Sequence, residues 1–146
     1  MIRRIAAIAS ALAMLGLSTG CAVNRAQATL MPDADLGKVK SVYVVHAKTD
    51  NHAVDETLKA AFEKRGYAVT LGPEMPPPYP ADATVTYVDK WMWDLTMYML
   101  ELRVTLNDGK SQFPLATADS MHTSLTRKSQ PEMVDEAVTN MLAARH

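Results

Sequence analysis

The 146-residue chain has one cysteine, Cys21, so no disulfide can close within it. Its fold must rest on a buried core and on hydrogen bonds. An excess of charge of one sign is also missing: 15 Lys and Arg face 16 Asp and Glu, interspersed along the chain. That balance excludes a basic face for nucleic acid and a polybasic segment for anionic lipid. With six glycines, none clustered, there is no glycine-rich phosphate loop. Neither C-x-x-C nor H-x-x-x-H occurs, so the common metal-ligand spacings are absent. No apolar run reaches the roughly 20 residues that a membrane-spanning helix needs. No internal repeat is present.

The amino terminus carries the most specific signal. Met1-Ile2-Arg3-Arg4 is a short positive segment, residues 5–17 are almost unbroken in their apolarity, and Ser18-Thr19-Gly20 ends them with small side chains. This is the layout of a secretory signal peptide. Cys21, directly after Gly20, resembles the lipobox of bacterial lipoproteins. The resemblance implies cleavage before Cys21, diacylglycerol on its thiol and a fatty acyl group such as palmitate on the new amino terminus. The family favours Leu three places before the cysteine; here Ser18 stands there and Leu17 one place further back. Ala22 follows the cysteine instead of Asp, which by the same resemblance implies the periplasmic face of the cell outer membrane. More than one acyl chain, at about 0.8 kcal/mol per buried methylene, makes a stable anchor. Without Arg3 and Arg4 the mature chain has 13 basic against 16 acidic residues, net −3.

The expected organisation is a signal peptide over 1–20, a lipidated anchor and tether over 21–37, and one periplasmic domain over 38–146. Residues 22–37 show no apolar period; as a flexible coil they would reach roughly 20–25 Å. The β-branched run 39–47 predicts a buried strand. Asp50 or Asn51 can cap a following helix whose apolar stripe is Val54, Leu58, Ala61 and Phe62, with Gly66 as its stop. Residues 67–71 predict a second strand. The loop 72–80 carries five prolines and reads as a stiff surface connector, with polyproline docking as the lesser alternative.

Two long strands are expected next, over 83–93 and 97–106. In the first, Ala83, Val85, Tyr87, Trp91 and Trp93 share a face that only Asp89 interrupts. In the second, Tyr98, Leu100, Leu102, Val104 and Leu106 point one way, and Glu101, Arg103 and Thr105 the other. Asn107-Asp108-Gly109-Lys110 predicts a hairpin turn, and a last strand follows over 111–122, with Pro114 suited to its start or to an edge. Ser129-Gln130-Pro131-Glu132 has capping-box spacing before a helix whose buried stripe is Val134, Ala137, Val138, Met141 and Leu142. The fold class is therefore α+β, in the order β-α-β-β-β-β-α, a mixed sheet with two helices on one face.

Chemistry is sparse. His46, Asp50 and His52 could converge at the first strand-to-helix turn as zinc ligands, but capping and solvation account for them equally well. Met92, Met97 and Met99 could hold Cu(I), but methionine more simply fills gaps. Asp89, Asp94, Glu101 and Asp119 lie on neighbouring strands, where solvated charge is the usual role of such carboxylates. With Cys21 lipidated, no cysteine nucleophile remains, and the chain reads as no enzyme, with no cofactor and no metal. Trp91, Trp93 and Tyr87 are the candidate partner interface if their face is uncovered; burial under the helices is the preferred outcome for that face.

The burial pattern of 39–47, the helix to Gly66, the segment Ala81-Asp82-Ala83-Thr84-Val85 and the long hairpin through Asn107-Asp108-Gly109 resembles a group of envelope lipoprotein domains. It includes the amino-terminal domain of the Tol system and the penicillin-binding-protein activator lipoproteins. The resemblance covers most of 38–146. It implies binding of envelope proteins or help in their assembly, and transfers no catalytic residue. The expected function is a membrane-anchored, non-catalytic interaction or assembly module, with lipid and an envelope protein as partners and no nucleic acid. The alternative is a periplasmic lipoprotein that binds a small ligand or metal.

Overall fold

A computed structural model describes residues 23–73 and 75–144. The expected signal peptide, Cys21 and His146 lie outside the described residues. The architecture is α+β: a six-stranded mixed sheet with both helices on one face. Its strands are β1 (Arg25–Leu30), β2 (Ser41–Val45), β3 (Ala68–Gly72), β4 (Ala83–Asp94), β5 (Thr96–Asp108) and β6 (Pro114–Met121). Helix α1 (Val54–Glu63) joins β2 to β3, and α2 (Gln130–Ala143) closes the described chain. The spatial order is β1-β6-β5-β4-β2-β3, with β2 parallel to β3 and β4 and the remaining neighbours antiparallel.

The first correction concerns the tether. Residues 25–30 are a strand paired with β6 from Arg25↔Met121 to Leu30↔Ala116, so the folded domain begins well before residue 38. Arg-Ala-Gln-Ala-Thr-Leu is an alternating but weak signal, since two of its six residues are alanine, and only Ala28 and Leu30 pack on the core. Alanine has little strand preference, and it is pairing with β6 and contact with α2 that hold this edge strand.

The core lies between sheet and helices. Val42 and Val44 of β2, Val85 of β4 and Leu102, Val104 and Leu106 of β5 meet the expected α1 stripe of Val54, Leu58, Ala61 and Phe62. From α2, Met133, Val134, Ala137, Val138 and Met141 complete it. Gly66, at φ 88°, takes the left-handed conformation that ends α1, where glycine carries no Cβ strain. At α2, the Glu132 carboxylate accepts from the Ser129 backbone N–H and hydroxyl, as the capping-box spacing predicts.

The second correction is a register shift. Lys90 pairs with Glu101 but Trp91 pairs with Met99, so Leu100 is the extra residue of a β-bulge in β5. Beyond it the faces exchange. Met99 is fully buried, while Tyr98 and Leu100, expected in the core, are only half-buried.

The proline-rich loop is a connector. β3 and β4 are parallel strands on either side of β2, so residues 73–82 must cross the sheet to start β4. They cross the face away from the helices, where Tyr79 meets buried Tyr43 edge-on with ring centroids 5.6 Å apart. Asp82 ties the far end down, accepting from the backbone N–H groups of Lys40 and Ser41 and from the Ser41 hydroxyl. Those bonds hold its carboxyl below the usual range.

Candidate functional site

Chemistry-bearing residues collect where β2 ends and β4 continues past it. The turn 46–53 leads from β2 into α1, and Asp50 organises it. One carboxylate oxygen accepts from the backbone of His52 at 2.8 Å; the other accepts from Val54 at 2.8 Å, Asp55 at 3.3 Å and the Tyr87 hydroxyl at 2.7 Å. Asp50 thus caps α1 from four residues upstream, and Asn51 does not. Burial alone would raise its carboxyl, but the Tyr87 bond and the three backbone donors outweigh it and lower the pKa. Tyr87 is raised above the phenol range by burial, with the Asp50 carboxylate accepting its proton.

Asp50 does gather histidines, but in two overlapping trios. His46, Asp50 and Asp55 form one; Asp50, His52 and Asp89 form the other. Both depend on an Asp50 whose oxygens already meet four donors, close to a carboxylate's full capacity. The remaining members are engaged as well. His46 Nδ1 lies 2.7 Å from Asp55, the His52 ring stacks on Trp91 at 3.8 Å, and Trp91 Nε1 donates to Asp89 at 2.6 Å. A cation bound here would have to displace the cap of α1.

The methionine group does not converge. Met92 pairs with Tyr98, Trp93 with Met97 and Trp91 with Met99, so strand alternation puts Met92 on the face opposite Met97 and Met99. Nor do the strand carboxylates pair for acid–base work. Glu101 takes Arg25 and Lys90, Asp119 takes Arg103, and Asp89 takes Trp91. On the sheet's open face the first two form a ladder of ion pairs.

Sequence reasoning missed one polar cluster. Glu136 of α2 accepts from Ser120 at 2.6 Å, contacts His122 Nε2 at 2.7 Å and pairs with Lys128. Burial would raise its carboxyl, but these three partners outweigh that and hold it at about 2. The serine bonds the carboxylate and not the histidine, so this is no relay for a nucleophile. The groove between α1 and α2, about 560 Å³ in volume, is lined partly by Lys128, Asp135 and Glu136. Asp135 is held by Arg65 and Glu136 by the cluster just described.

The proposed aromatic interface divides by depth. Tyr87 is buried, which removes it from any surface, because its hydroxyl is part of the α1 cap. Trp91 is half-buried beneath His52. Only Trp93 is exposed, at 70%, and around it Met92, Leu95 and Met97 are 48%, 86% and 53% exposed. The β4–β5 hairpin therefore ends in an apolar tip that contributes nothing to the core.

No protein-family model matches the chain, and no curated protein matches its sequence. Solved structures do match its fold. Two structures of the PelC dodecamer from Paraburkholderia phytofirmans superpose with TM-scores of 0.61 and 0.58, at 12% and 15% identity. They cover 84% and 85% of this chain and all of the PelC chain. A PDZ domain protein from Parabacteroides distasonis superposes with a TM-score of 0.54 at 13% identity, over 95% of this chain and 40% of that one. At these identities the likeness is one of fold, and the fold this chain shares with PelC spans nearly all of its described domain.

Proposed function

We propose that this chain is a lipid-anchored, non-catalytic interaction or assembly module on the periplasmic face of the cell outer membrane. The observation that carries the reading is the hairpin tip: four exposed apolar residues on a two-stranded extension, beside an Asp50 committed to the α1 cap and an Asp89 bonded to Trp91. Such a patch is costly in water and is the kind of surface that binds. The resemblance of Gly20-Cys21 to a lipobox supports the anchor, and the resemblance in burial pattern to Tol-system and penicillin-binding-protein activator domains supports an envelope partner. PelC is named a dodecamer, so assembly of this chain with its own copies is one form of the interaction to test.

Crosslinking in cells followed by pull-down of the tagged chain tests the proposal, run beside Cys21→Ala and Trp93→Ser. A discrete envelope partner or a defined oligomer that needs both residues is the expected outcome. Recovery of sorting machinery alone would overturn it.

The metal reading has the two His/Asp trios in its favour and the saturation of Asp50 against it. A bound ion at 100 times its Kd stabilises a fold by about 2.7 kcal/mol. Titration of the purified chain with Zn²⁺ is expected to leave its unfolding temperature unchanged; an upward shift abolished by His52→Ala would favour the metal.

A further inference from the structure

The apolar tip and the start of the described chain lie at the same end of the sheet. Arg25 pairs with Met121, Met121 with Glu101, and Glu101 with Lys90, which puts all four at one level across β1, β6, β5 and β4. Past that level, beyond one bond from the His122 N–H to the Leu100 carbonyl, β4 and β5 pair with each other alone, from Lys90 to Asp94 on β4. Those four steps extend about 14 Å at ~3.4 Å each, with Leu95 turning beyond them. In the other direction along the chain, four Cα–Cα steps lead from Arg25 back to Cys21, a distance of at most about 14 Å. Fully extended, those four steps let Cys21 lie as far beyond that level as the tip does.

The same end is tied together by side chains. Thr126 bonds Asn24, and Arg127 donates to Thr96 at 2.8 Å while its guanidinium sits 5.1 Å from the centre of the Tyr98 ring. Leu125, directly before Thr126 in the turn Ser124–Thr126, is 85% exposed. Tryptophan, tyrosine and arginine beside exposed aliphatic side chains are the composition of a membrane–water interface. Asp94 is the one charged residue among 92–97, and it limits the depth to the interfacial layer.

The geometry points to a second, non-covalent membrane contact: Met92, Trp93, Leu95 and Met97 enter the interfacial layer of the bilayer that holds Cys21, with Leu125 and Arg127 at headgroup level. This deepens the proposed function by naming the occupant of the tip, and it rests on Cys21 being acylated. The tip and the anchor then fix the domain upright.

The test uses the full chain with its anchor, carrying Leu95→Cys. With Cys21 acylated the new cysteine is the only free thiol, so a nitrobenzoxadiazole dye labels the tip alone. The labelled protein is placed in phosphatidylethanolamine–phosphatidylglycerol vesicles with and without brominated acyl chains. Mass spectrometry counts acyl groups and dyes. Met97→Cys repeats the measurement away from the positive-φ turn residue Leu95, and Val88→Cys on the hairpin stem is the control. Expected are one dye, an acylated Cys21, and blue-shifted emission that brominated lipid quenches at 95 and 97 but not at 88. Water-like emission on an acylated chain overturns the inference and leaves the anchor standing. A second dye on an unacylated Cys21 overturns both. A blue shift that brominated lipid does not quench, with an oligomer seen by light scattering, overturns the inference in favour of a second copy at the tip.

Discussion

A Cβ placed on Gly109 would lie 1.9 Å from the carbonyl oxygen of Ala81, because the β5–β6 turn closes directly onto the end of the proline-rich loop. The Gly109 N–H donates to Asp82 O at 2.9 Å across that contact. Gly109→Ala is expected to destabilise the fold by about 1–3 kcal/mol, as overpacking does, read as a lower urea midpoint. Glu136 sets a second expectation. Its folded-state pKa of about 2 lies below the ordinary 4.5, so its contribution is complete above about pH 4.5 and is lost as pH falls from there towards 2. Urea midpoints measured between pH 6 and pH 2 should fall over that window, and Glu136→Gln should flatten the fall; an unchanged slope in the variant would refute this role. Gly66 and the Ser129/Glu132 box were legible because their partners are within four residues. The Ser120–Glu136–His122 cluster was not, because its bonds join β6 to α2 across 14 to 16 residues.

At the scale of elements, alternation predicted β4 and β5 well up to a point that can be named. A single extra residue, Leu100, moves Met99 into the core and Tyr98 out of it, since side chains alternate with a period of two. Met99→Ala is therefore expected to cost about 2–5 kcal/mol, like other core truncations. Met97→Ala, two residues nearer the tip, should stay within about 0.5 kcal/mol. Equal losses in thermal unfolding would contradict the bulge. β1 failed in the opposite way: its alanines carry no strong strand signal, and the element exists through its neighbour. The helix stripes were legible because burial at i, i+4, i+7 and i+8 is a property of the helix itself.

Across the whole molecule, β1 closes the sheet at the edge nearest α2, and its first residue, Arg25, lies level with the base of the hairpin tip. A chain beginning at Met31 would expose the β6 edge and uncover part of the core beneath α2. Lower unfolding temperature and self-association through β6 are expected, by calorimetry and light scattering. The same topology puts the hairpin tip at the end of the sheet where the described chain begins. The order of elements from β2 onward, the α+β class, the two amphipathic helices and the stiff loop were legible in the sequence alone, because each follows from local periodicity or from residues that restrict the backbone. Tertiary structure alone decided that Tyr87 is buried, that Trp93 is free and that the tip stands at the amino-terminal end of the sheet. Those facts depend on strand pairing between distant segments and on one bulge, and neither leaves a periodic trace in the chain.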